Sequence, residues 1–251
     1  MGIDAAFLDR IAAIGAKQGL FPGATVAILG DCRFLTSWAT GDNRADLGRF
    51  AQALGLARVE TLDVMGDPTI RLDLHEPLPP ELTRQFDVVI DAGTAHCCFD
   101  VAAVLKNCLD MLKPQGTIFH LSALTGFFGR AYYSFNPLLF RDFYLQNGFS
   151  LLAMEARVPS AGATMPRLLR RLYQIGGRKL GAFDDLLLNG LHLEQASALT
   201  MKFGSDMTRK PSTIPNDAVI MVAARREQAS PFVRPVPSFF SARAAAPELA
   251  A

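Results

Sequence analysis

The chain has 251 residues, half of them hydrophobic, with 25 basic against 24 acidic side chains and a formal net charge of +1. It is long and apolar enough to bury a full core and reads as a soluble globular protein, while its balanced charge gives no general attraction to nucleic acid or an anionic membrane. Cys32, Cys97, Cys98 and Cys108 lack metal-site spacing and include an adjacent pair that cannot form an ordinary disulfide, so no metal and a reducing, cytoplasmic setting are expected.

Acidic Asp4 and Asp9 near the start, without a cleavable apolar stretch, argue against secretion, and no run is long enough to insert across a bilayer. Phe7, Leu8, Ile11 and Ile14 fall on one face of a helix predicted over Ile3 to Gly19. Ala24 to Leu29 is an apolar run closing in Gly30-Asp31-Cys32, a buried strand with a loop at its carboxyl end. A helix follows over Leu47, Phe50, Ala51 and Leu54, terminated by Gly55. Val59 to Val64 is a second strand containing Asp63, and Thr69 to Leu74 alternates as a shorter edge strand.

Phe86 to Gly116 organises the rest. Phe86 to Ile90 reads as a strand buried on both faces and runs into Asp91, Gly93 and Thr94. Asp100 caps a helix through Val104, Leu105, Cys108 and Leu112; Lys113 to Gly116 stops it; Thr117 to Ser122 is the next strand. Such a crossover places ligands at the carboxyl ends of its strands, which makes the loop from Asp91 to Cys98 the prime candidate for chemistry.

Asn136-Pro137 starts a helix carrying Leu139, Phe140, Phe143 and Tyr144, and Asn147-Gly148 ends it. Phe149 to Val158 and Ala218 to Ala224 are further strands. Residues 161–216, with helical spacing at Leu168, Leu169 and Leu172 and again from Leu186 to Leu193, form an inserted helical cover. The expected parts are therefore a helix over 1–23, a core over 24–160, the insertion over 161–216, a final strand over 217–226 and a Pro/Ala-rich, poorly ordered tail over 227–251 in which Phe239-Phe240 could dock.

Seven strands with helices between the first five, and the segments FDVVIDAGTAHCCF, LKNCLDMLKPQG and YYSFNPLLFRDFYLQNGF, resemble the class I methyltransferases that use S-adenosylmethionine. More narrowly they resemble a bacterial methyltransferase-domain family found with cell-surface polysaccharide genes. The resemblance spans roughly residues 24 to 155. It implies an α/β Rossmann-like fold: a seven-stranded, mostly parallel sheet with helices on both faces and the insertion before the last strand. It also implies S-adenosylmethionine as cofactor and a small-molecule acceptor, and it leaves a homodimer open. Gly30 and Asp31 match the loop beside the methionine portion, Asp63 the acid that takes the ribose hydroxyls, Asp73 and Leu74 the adenine contacts, and Asp91, Gly93 and Thr94 the loop beside the sulfonium. A carboxylate suits paired hydroxyls because it only accepts, and glycine admits close backbone approach.

The sequence departs from that pattern where acid-x-Gly-x-Gly is usual, since Ile28, Gly30 and Cys32 stand there. His96-Cys97 replaces Glu-His, and Thr125-Gly126 replaces Asn-Asn. His96 is the expected base, with a structural hydrogen bond as the equal alternative. Tyr133 offers a hydroxyl beside Tyr132 and Phe135, which could wall an acceptor pocket. Cys32 and Cys97 are more readily packing residues than a nucleophile or metal pair, and the basic cluster from Arg167 to Lys179 is more readily a solvated face than a phosphate grip. The expected activity is methyl transfer to oxygen or nitrogen of a small polar acceptor, a sugar or natural-product intermediate. Two rivals stand beside it: a non-methylating partner protein, and an enzyme using the fold for proton transfer, elimination or cyclisation.

Overall fold

Alternate residues of the buried strands face opposite layers, and the helices divide accordingly. The computed structural model describes residues 2–127, 129–157, 191–192, 218–228 and 230–238. In chain order these form β1 (Gly2–Asp4), α1 (Ala5–Gln18), β2 (Thr25–Leu29), β3 (Arg33–Leu35), α2 (Asn43–Leu54), β4 (Arg58–Asp63), β5 (Ile70–Arg71) and β6 (Phe86–Asp91). Then come α3 (Val101–Met111), β7 (Leu112–Ala123), α4 (Pro137–Gln146), β8 (Phe149–Arg157), β9 (Leu191–His192) and β10 (Val219–Arg226). The main sheet runs β5-β4-β2-β6-β7-β10-β8-β9. Its first five strands are parallel, and β10 lies antiparallel between β7 and β8.

Val26, Ile28, Val88 and Ile90 pack with Phe7, Ile11 and Ile14 of α1 and Phe50 of α2, whereas Ala27, Leu29 and Val89 pack with Val104 and Leu105 of α3 and Phe140 and Tyr144 of α4. Helices thus cover both faces. Each fully buried ring, such as Phe50 or Phe86, contributes on the order of 2 kcal/mol.

The expected caps form. Asp100 accepts from the Ala103 amide and Asn136 from the Leu138 amide, and Gly55 closes α2 in the left-handed region at φ +66°. The seven expected strands all join one sheet, and the two-residue β9 extends it at the β8 edge. Leu191 and His192 therefore lie in a strand rather than in the helix expected over 186–193, because the edge of β8 offers backbone partners. The rest of the insertion, with its basic cluster, and Phe239-Phe240 lie outside the described residues.

Three boundaries differ from expectation. Ile3 belongs to β1, which pairs with β3 in a separate parallel ribbon, and α1 starts only after Asp4 caps it. The edge strand shrinks to Ile70–Arg71. Strand β7 begins directly at Leu112, with a register shift between Phe86 and Val88 on its partner β6 that absorbs Lys113 to Gly116. The described part of the tail is also better held than expected. Over 230–238 it is strapped to α4, with Phe232 against Phe143 at 6.2 Å between ring centroids and the Ser238 amide donating to Asp142 at 2.8 Å.

Candidate active site

The chain runs from β2 outward through β4 to β5, then returns to β6 on the other side of β2. Strand order reverses there, and the carboxyl ends of β2 and β6 flank the crevice where open α/β sheets take ligands. Gly30 follows β2 with φ +91°, its amide donating to the Leu62 carbonyl at 2.7 Å. A Cβ at Gly30 would stand 2.5 Å from Thr94 Oγ1 and 3.7 Å from Asp63 Oδ2, so only glycine fits. The Thr94 hydroxyl donates to the Leu29 carbonyl at 2.8 Å, clamping the β6 loop onto the end of β2.

Asp63 ends β4 half-buried. Its Oδ2 accepts from the Asp31 amide at 2.7 Å and its Oδ1 from the Met65 amide at 3.0 Å; each oxygen keeps a second lone pair. The Asp31 carboxylate accepts from Asn43 Nδ2 at 3.1 Å and from the Asp67 amide at 3.2 Å, so it laces the β2 loop to the β4 loop. Gly30, Asp31, Asp63 and Thr94 come together as expected neighbours. Ile28 and Cys32, which replace the usual acid and glycine, are both core residues. Burial pushes the Cys32 thiol up to about 11, and the chain beyond it enters β3, where Gly2 makes room for the Arg33 carbonyl.

Asp73 is exposed, and its Oδ1 accepts from the His75 amide at 2.9 Å and meets His75 Nδ1 at 2.7 Å. The bonds from His75, its backbone amide first, hold the carboxyl below its ordinary value. His75 Nε2 in turn accepts from the Phe99 amide at 3.1 Å, joining the β5 and β6 loops. Leu74 is buried, its carbonyl accepting from Asn107 Nδ2 at 2.9 Å.

Asp91, expected beside the cofactor, is 0% exposed and stands behind the loop. Its Oδ1 accepts from the amides of Gly93, Thr94 and Ala95 at 3.2, 2.8 and 3.1 Å. Its Oδ2 meets His120 Nδ1 at 2.8 Å, and the far nitrogen, His120 Nε2, takes a short hydrogen bond from the Tyr144 hydroxyl. Burial alone would raise the Asp91 carboxyl, but the His120 bond and the loop amides outweigh it and keep it ionised. Burial keeps the Tyr144 hydroxyl protonated. With Asp91 as acceptor, His120 donates a hydrogen bond from Nδ1 and accepts one at Nε2 from the Tyr144 hydroxyl. His120 and Tyr144 were not among the expected site residues; the signal for the former is one polar ring inside the apolar run from Thr117 to Leu121.

His96, the expected base, is 1% exposed. Its Nδ1 accepts from the Ala123 amide at 3.2 Å, and its ring packs against Phe127 and Phe135. Burial lowers its pKa and favours the neutral ring. Its carbonyl accepts from the amides of Tyr132 and Tyr133 at 3.0 and 3.2 Å. These are contacts that join the β6 loop to the β7 loop. The Tyr133 hydroxyl donates to the Phe99 carbonyl at 2.8 Å. Between these loops lies a cavity of about 350 Å³ lined by Cys97, Gly129, Arg130, Ala131 and Tyr132. Burial raises the Cys97 thiol, which disfavours a thiolate nucleophile.

Among the described residues no three His, Cys, Asp or Glu side chains gather to hold a metal ion, and no described helix is long and apolar enough to cross a membrane. No family model matches the chain, and no curated protein matches it. Solved structures do. A candidate sarcosine dimethylglycine methyltransferase from Galdieria sulphuraria superposes with a TM-score of 0.53 at 12% identity, covering 88% of this chain and 86% of its own. A candidate methyltransferase from Bacillus halodurans C-125 gives 0.50 at 11% identity, covering 88% of this chain and all of its own. At such identities the likeness concerns architecture alone, and the chain has the Rossmann-like α/β fold seen in these methyltransferases.

Proposed function

We propose that the protein transfers a methyl group from S-adenosylmethionine to an oxygen or nitrogen of a small acceptor, a sugar or natural-product intermediate. The observation that carries this reading is Gly30, left-handed and stripped of any room for a Cβ, set against the Asp63 carboxylate at the reversal point of the sheet. A nucleoside fits that chemistry: Asp63 accepts from paired ribose hydroxyls, exposed Val64 and Met65 give apolar surface to a purine, and Asp73 with the Leu74 backbone takes the adenine amino group. Gly30 and the turn at Gly93 approach the rest of the cofactor, with Asp31 and Thr94 fixing those loops.

When bound, the cofactor supplies an electrophilic methyl group on a sulfonium sulfur. Residues of this chain then contribute orientation, which can supply much of the acceleration of such a transfer. His96, buried with its Nδ1 engaged, positions the acceptor loop and does not serve as the base. Asp91 holds the turn over 93–95 from behind and keeps a negative charge near the crevice.

Calorimetric titration with S-adenosylmethionine and S-adenosylhomocysteine tests the reading. Micromolar affinity, on the order of −8 kcal/mol, is expected, and Asp63→Asn should weaken it by about tenfold or more while far-UV circular dichroism stays unchanged. Absence of binding by folded, cofactor-free protein would favour the rival reading of a partner protein that no longer methylates.

A further inference from the structure

The described surface exposes few large apolar side chains, yet two aromatic ones stand together beside the cavity. Phe99 is 74% exposed and Tyr132 70% exposed, and their rings meet edge to face at 89° with centroids 6.1 Å apart. Clustered exposed rings at a cleft mark a binding surface, whereas isolated ones need no explanation. These two are held in place from several sides. The Phe99 carbonyl accepts from the Tyr133 hydroxyl and its amide donates to His75; the Tyr132 amide donates to His96, and the Cys97 thiol donates to the Arg130 carbonyl at 3.4 Å.

Such bonds fix the backbone on both sides of the cavity before any ligand arrives, which lowers the entropic cost of binding. The turn that carries Tyr132 is itself strained: Phe127 sits at φ +59°, a region bulky residues rarely adopt, between Gly126 and Gly129, both also at φ +71°. Burial of Phe127 against His96 at 5.7 Å and against the Arg130 guanidinium at 4.7 Å keeps it there.

We propose that this cavity takes the acceptor, and that the acceptor is a planar aromatic ring carrying the oxygen to be methylated, such as a phenol or aromatic acid, rather than a sugar. The assignment rests on the methyl-transfer reading for its role and deepens it to a substrate class. A flat ring can stack on Tyr132 or Phe99 while its edge meets the other, the offset and edge-to-face geometries that aromatic pairs prefer. The cavity volume of about 350 Å³ lies in the lower part of the range of small-molecule sites and suits one or two rings.

The test uses the full chain and measures dissociation constants by ligand-observed NMR for 4-hydroxybenzoate, cyclohexanecarboxylate and glucose 6-phosphate. The expected result is 4-hydroxybenzoate bound about tenfold tighter than either control, with Tyr132→Ala removing that preference and Tyr132→Phe retaining it. Equal affinity for the two carboxylates, preference for the sugar phosphate, or an unchanged preference in Tyr132→Ala overturns the proposal. Calorimetry with S-adenosylhomocysteine on the wild-type protein keeps the two readings apart. Cofactor binding without aromatic preference overturns the substrate class alone, and aromatic preference without cofactor binding overturns methyl transfer alone.

Discussion

At His96 burial, not the loop's position, decides what the ring can do. Its place after a central strand was legible from the spacing of Phe86 to Cys98, and that place suggested a base. Its partners were not legible, because the Ala123 amide ends β7 and the Phe127 and Phe135 rings come from the loop after it, far along the chain. Asp91 follows the same logic. An acid ending an apolar strand looks poised for a ligand, whereas His120 and three successive amides claim both of its oxygens. Since burial lowers the His96 pKa from the ordinary 6.5, the unfolded chain binds a proton that the folded chain resists. The stabilising effect of the neutral ring is thus complete above the ordinary value and lost as pH falls through 6.5 toward the lower folded value. His96→Asn, whose Oδ1 takes the place of Nδ1, keeps an acceptor for the Ala123 amide and cannot titrate. Its urea midpoint should fall less than that of the wild type between about pH 7 and pH 5.5, and parallel profiles for the two proteins would show that His96 does not contribute to acid sensitivity.

Among the elements, α4 was legible at both ends, since Asn136-Pro137 and Asn147-Gly148 are start and stop signals that act locally. The second task of Asn147 was not. Its Nδ2 donates to the carbonyls of Phe143 and Val233 at 2.8 and 3.0 Å, and its Oδ1 accepts from the Val233 amide at 2.8 Å, so one helix-ending side chain also pins the tail. Proline and alanine composition suggested disorder there because composition cannot register hydrogen bonds to a distant helix. The β1–β3 ribbon escaped notice for a related reason: Ile3 fits the helical spacing of Phe7 and Ile11, and the short Arg33–Leu35 has no alternation of its own. Asn147→Ala strips the Val233 amide and carbonyl of their partner and should cost about 1–3 kcal/mol locally. Limited proteolysis should then cut within 230–238 faster than in the wild type, leaving 2–157 protected to the same degree; equal cleavage rates would mean that Phe232 and Ser238 hold the strap without Asn147.

Over the whole molecule, the seven strands and the mostly parallel sheet were legible because buried apolar runs recur with amphipathic helices before β2, β4 and β7, although no α-helix stands between β4 and β6, where helices were expected. The sequence also put Gly30 and the Gly93 loop at the carboxyl ends of β2 and β6, but not the reversal of strand order between them. What it left open was how the crevice is held, since the clamps are pairwise contacts between distant loops: Thr94 on Leu29, Asp63 on the Asp31 amide, Asp31 on the Asp67 amide, His75 on the Phe99 amide. Those clamps join the ends of β2, β4, β5 and β6, so a ligand seated there contacts loops from half of the sheet and should be released only when the fold opens. Its binding free energy then adds to global stability. At a concentration about a hundredfold above its dissociation constant, S-adenosylhomocysteine should stabilise the folded state by about 2.7 kcal/mol. For a chain of this size that raises the melting temperature by about 5–10 °C. Asp63→Asn, bound about tenfold more weakly, should gain at most about 1.4 kcal/mol at the same concentration and so about half of that rise or less, because the carboxylate that accepts the ribose hydroxyls is gone. A rise of equal size in both proteins would place the nucleoside away from Asp63, and no rise in cofactor-free wild type would remove the ground for methyl transfer.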